Sequence, residues 1–147
     1  SRRMMEESLP KLFALLLSAM VVSTAPCRAE TKTPVLDKWY PALFSADAPA
    51  LASLLTEDAE IRLEDIGITQ TKSEFLDSLG EWKDSIEGAS FDWKLDSAAP
   101  ATDTEATALV CYRFPSNELY TREVFTFAEN KIMKSVQTTE GESCEGF

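Results

Sequence analysis

Apolar residues recur every three or four positions between Thr33 and Gly88, and every second position from Ala89 onward. Thr33 and Pro34 open a helix with Leu36, Tyr40, Leu43 and Phe44 on one side and Trp39 at its edge. Pro41 has no N–H for the preceding turn and is expected to kink or break it. Asp47 caps a second helix, with Pro49 in its first turn and Leu51, Leu54 and Leu55 facing inward. Residues Ala59 to Ile68 are predicted as one strand, with Ile61 and Leu63 on one face and Gly67 near its end. Thr71-Lys-Ser-Glu74 is a capping box, and Phe75, Leu79, Trp82 and Ile86 form one helical stripe that Gly88 ends. Phe91, Trp93 and Leu95 then alternate with Asp92, Lys94 and Asp96. Strands are predicted at Glu105–Phe114, Leu119–Ala128 and Lys131–Thr139, joined by a turn at 115–118 and a two-residue turn at Glu129-Asn130.

The first thirty residues differ in kind. Arg2, Arg3 and Lys11 precede the apolar run Leu12–Ala25, whose 14 residues fall short of the roughly 20 that a spanning helix needs. Cys27-Arg28-Ala29 places small side chains at −3 and −1 of a cut after Ala29, so residues 1–29 read as a signal peptide and 30–147 as a single domain. A retained anchor is the competing reading. Export implies a periplasmic or secreted protein with no membrane attachment after cleavage.

Composition narrows the chemistry. The 147 residues carry 25 acids, 14 bases and no histidine, a net −11. Removing Ser1–Ala29 takes away two acids and four bases, leaving 23 against 10, a net −13. Such a surface repels nucleic acid, and the lack of histidine excludes histidine triads, HExxH zinc sites and His-Asp relays. No cofactor and no metal are expected. Of three cysteines, Cys111 and Cys144 remain after cleavage, in a compartment that favours pairing. Cys111 shares the outward parity of Leu109 and Arg113, and a C-terminal tail folded back would bring Cys144 to it. Two free thiols are the alternative.

Two helices, a strand region, a third helix and four consecutive strands make an α+β domain, with the three N-terminal helices on the concave face of a curved antiparallel sheet. The sequence here resembles the nuclear transport factor 2-like superfamily, in its SnoaL-like (polyketide-cyclase-like) branch. The residues that carry the resemblance are Trp39-Tyr-Pro-Ala-Leu-Phe-Ser-Ala-Asp47 with Leu51–Ile61, the Gly67…Thr71…Phe75 helix entry, and Phe125-Thr-Phe-Ala-Glu-Asn-Lys-Ile132. The likeness covers residues 34 to 139. It implies a cone enclosing a pocket, often in a dimer packed through the outer faces of the sheets.

If Phe114 faces Leu119 and Ala128 faces Lys131, Tyr112 lies opposite Thr121, Val110 opposite Glu123, and Phe125 opposite Lys134. The more apolar face then carries Tyr112, Thr121, Glu123, Phe125 and Lys134 inward, and Trp93 joins them as pocket wall or plain core packing. Glu123 and Lys134 would be diagonal neighbours, either a partly buried ion pair or a proton-transfer group with Tyr112 as donor. Asp65, with the parity of Ile61 and Leu63, is the second candidate base, since an acid near the first strand serves so in catalytic members of the family it resembles. Its alternative is an ordinary turn acid. Many enzymes of that superfamily pair an acid with histidine, which is missing here.

Three functions follow. The preferred one is binding of a small apolar molecule without catalysis. The second is an isomerase, dehydratase or cyclase using Glu123 or Asp65. The third is a homodimer or partner interface on the outer sheet face (Leu109, Tyr120, Val124, Met133).

Overall fold

The computed structural model describes residues 33–147; the expected export segment and Cys27 lie outside them. Helix α1 runs Pro34–Phe44 and α2 Ala48–Ser53. Strand β1 is Leu55–Leu63 and β2 Ile68–Thr71, followed by α3 at Lys72–Asp77 and α4 at Leu79–Ser85. Strands β3 (Ser90–Leu95), β4 (Glu105–Arg113), β5 (Glu118–Ala128) and β6 (Lys131–Gly141) complete one sheet of order β2-β1-β6-β5-β4-β3. Neighbours are antiparallel except β1 and β6, which are parallel.

Local chemistry explains most boundaries. Asp47 accepts a hydrogen bond from Ala50 N–H at the start of α2, and the Thr71–Glu74 capping box is formed in both directions. The two-residue turn before β6 has Glu129 and Asn130 both at positive φ, the twist a tight hairpin needs. Helix α1 runs through Pro41 unbroken, with the proline on its exposed side. Trp39, expected at the edge, is buried with Leu36, Tyr40 and Leu43.

Two elements depart from the sequence reading. The single strand expected at 59–68 is two antiparallel strands joined by a 3-10 turn at Glu64–Ile66, where Gly67 takes the left-handed φ of +66° that lets the chain reverse. The stripe from Phe75 to Ile86 is carried by two short helices that meet at Ser78.

The core lies between the helices and the inner sheet face. Leu36, Tyr40, Leu51 and Leu55 pack with Val110, Phe125 and Ile132, all with no measurable exposure. The C-terminal tail lies against part of the opposite face of β3–β5. A disulfide joins Cys111 of β4 to Cys144, Glu118 accepts the Cys144 N–H at 2.8 Å, and Tyr120 meets the Phe147 ring edge-on. Lys94 donates to the Phe147 carbonyl at 3.1 Å and lies over its ring.

Candidate functional site

Strand register decides what faces inward. In the β4–β5 hairpin, Tyr112 pairs with Leu119, Val110 with Thr121 and Ala108 with Glu123. This is two residues from the expected register, so the facing of each side chain survives. In the β5–β6 hairpin the expectation fails. Phe127 pairs with Ile132 but Thr126 pairs with Lys134, so Met133 is an extra residue, a β-bulge. Beyond it the facing of β6 reverses: Phe125 lies opposite Ser135 and Glu123 opposite Gln137. Lys134 stands opposite Thr126 on the outer side, and the expected Glu123–Lys134 pair does not form.

Glu123 is instead held by three hydroxyls. Tyr40 of α1 donates to its Oε1 at 2.5 Å, Tyr112 to its Oε2 at 2.7 Å, and Thr121 to the same oxygen at 2.9 Å. Glu123 is 3% exposed. Burial pushes its pKa up, and the three hydroxyls oppose that shift by stabilising the charged form. The same burial, with the carboxylate alongside, pushes both tyrosine hydroxyls well above their ordinary range. Tyr40 is fixed by its neighbours: Trp93 stacks on it at 4.7 Å and Phe125 meets it edge-on at 6.1 Å.

Glu123 and Tyr112 line a cavity of about 350 Å³. Trp39 and Leu43 of α1 with Phe75, Leu79 and Trp82 form its helical wall, and Trp82 is anchored by its indole N–H to the Leu43 carbonyl at 2.7 Å. Ile61, Leu63, Phe114 and Leu119 form the sheet wall. Polar groups sit among them, with Gln70 on β2, Ser135 and Gln137 on β6, and Ser78, Glu81 and Ser85 from the helices. Glu81 and Ser85 are exposed, which opens this side to solvent. Ser135 and Gln137 occupy the place expected for Lys134 because the bulge turns them in.

The expected site residues thus divide. Glu123 and Tyr112 touch the cavity; Thr121, Phe125 and Trp93 lie behind it, orienting Glu123 and Tyr40; Lys134 is elsewhere. Asp65 sits exposed in the 3-10 turn and accepts the Thr139 N–H at 2.5 Å. Hydrogen bonds from Thr139 hold its carboxyl below the ordinary range. β1 stops pairing with β6 at Leu63–Gln137, so Asp65 takes the next amide in place of the missing strand. Tyr40 was not singled out from sequence as a site residue. It stands on the apolar stripe of α1, and its buried hydroxyl, which needs a hydrogen-bond partner, was the available signal.

No family model matches the sequence, and no curated protein matches it. Solved structures do. The epoxide hydrolase/cyclase-like enzyme SalBIII, of pyran ring formation in the polyether salinomycin, superposes with a TM-score of 0.62 at 12% identity over 74% of this chain and 89% of its own. A protein of ketosteroid isomerase-like fold from Catenulispora acidiphila, solved with trimethylamine, gives 0.60 at 15% identity over 74% and 86%. A nuclear transport factor 2-like protein of unknown function from Cytophaga hutchinsonii gives 0.56 at 10% over 78% and 95%. This chain has the nuclear transport factor 2-like fold.

Proposed function

We propose that this domain binds a small, largely apolar molecule in the cavity between its helices and sheet, and holds one polar group of that molecule against Glu123. The observation that carries the reading is the combination of a 350 Å³ hollow walled by aromatic and aliphatic side chains with a single buried carboxyl on its surface. Hollows of this size, mostly apolar with few polar anchors, are the usual form of small-molecule sites. Three of the roughly four acceptor positions of the carboxyl are filled by Tyr40, Tyr112 and Thr121, which favours an anchor over a group that must exchange protons freely. Export fits the same reading, supported by the Cys111–Cys144 disulfide and the apolar run before Ala29.

Native mass spectrometry of the purified chain tests it. Adducts should be released on denaturation, and Trp39 and Trp82 fluorescence should respond to apolar ligands. Ser78→Phe, which puts a bulky ring on the cavity wall, should lose both while far-ultraviolet circular dichroism stays unchanged. Failure of any apolar ligand to alter the fluorescence would end the proposal.

One observation favours a second reading. A carboxyl raised by burial beside a tyrosine hydroxyl suits proton transfer on a bound substrate, as an isomerase or cyclase requires. Glu123 would be the proton shuttle and Tyr112 the donor, and Glu123→Gln would then abolish turnover without abolishing binding.

A further inference from the structure

The cavity has a charge bias that its apolar walls do not explain. Among the described residues that line it, two are acids, Glu81 and Glu123, and none is a lysine or arginine. Glu123 costs free energy to ionise where it stands, yet Tyr40, Tyr112 and Thr121 all aim hydroxyls at it, an arrangement that serves the carboxylate. The walls add Trp39, Phe75, Trp82 and Tyr112, rings whose faces carry partial negative charge and attract cations. An anionic ligand would meet two acids and no counter-charge. A neutral one would leave the carboxyl's cost unrecovered.

Resting on the cavity reading above, we propose that the ligand is an organic amine cation, its charged nitrogen among these rings and its N–H donated to the remaining acceptor position of Glu123. The ammonium is balanced by the Glu123 carboxylate; where burial holds the carboxyl protonated, binding the cation releases that proton to solvent, and no covalent bond changes. The groups that face Glu123 are the Tyr40 hydroxyl from α1, Tyr112 from β4 and Thr121 from β5. Glu81 of α4 is the other charged group on the cavity.

The test pairs N,N-dimethylbenzylamine with isobutylbenzene, which has the same heavy-atom skeleton without the charge, using the full chain and tryptophan fluorescence from pH 4 to pH 8. The amine should bind at least tenfold tighter at pH 8, its affinity should fall toward the acid end of the range, where Glu123 is protonated, while that of the hydrocarbon stays level, and Glu123→Gln should erase the preference. Equal affinities would overturn the amine assignment and leave the cavity reading standing. Binding of neither compound would overturn both. A preference that persists in Glu123→Gln, or a flat pH response of the wild-type chain should that variant not fold, would also overturn it.

Discussion

Removing the Tyr40 hydroxyl is the sharpest test of the Glu123 cluster. Tyr40→Phe keeps the ring that packs against Trp93 and Phe125 and deletes only the donor to Oε1, the oxygen with no other protein partner named here. A hydrogen bond to a charged acceptor contributes about 2–3 kcal/mol, and one to a neutral group about 1 kcal/mol. The loss should therefore be about 1 kcal/mol where Glu123 is protonated, and about 1–2 kcal/mol greater where it is ionised. That difference corresponds to an upward move of the Glu123 titration midpoint of about one unit. Urea denaturation followed by tryptophan fluorescence from pH 4 to pH 9 measures the first quantity, and carboxyl-carbon NMR titration of Glu123 the second. A midpoint that stays put or moves down, or a loss independent of pH, refutes the view that the hydroxyl supports the carboxylate.

Further expectations are simpler. Asp65→Ala should leave ligand affinity unchanged and speed hydrogen exchange at the Thr139 amide, because the carboxylate substitutes for a strand there; lost binding would make Asp65 part of the site. Cys144→Ala opens a loop of 33 residues and should cost about 3–4 kcal/mol by chain entropy, with faster proteolysis of residues 142–147; an unchanged denaturation midpoint would show that the tail holds without the bond. The acids act on stability in opposite directions. The raised Glu123 stabilises the fold below the ordinary glutamate range and loses that contribution as pH climbs through its folded value. Asp65 is held down by Thr139, and Asp96 by the Ala98 N–H and then Arg122; their contributions are present above the ordinary aspartate range and lost on acidification below it. Thermal melts from pH 3 to pH 9 should therefore show one loss on acidification and another as pH climbs through the folded Glu123 value, and Glu123→Gln should remove the second.

Alternation along Glu105–Thr139 determined β4, β5 and β6 to within two residues, because a half-buried strand imposes its period on the sequence that forms it. The capping box at Thr71 and the turn at Glu129-Asn130 were equally readable, since both are built from groups within a few residues of one another. Even the inward facing of Glu123 and Tyr112 came from parity alone. Other features needed the folded chain. The extra residue at Met133 leaves no mark in the alternation, yet it turns Lys134 out and Gln137 in. The split at Ser78 leaves the Phe75–Ile86 stripe intact, so periodicity sees one helix where packing makes two. The Tyr40–Glu123 bond spans 83 residues, and the Cys111–Cys144 bond depends on where the tail lies over the outer face. Local rules assign a side chain to a face; only packing decides which group from another element meets it there, and the cavity chemistry is made of such meetings.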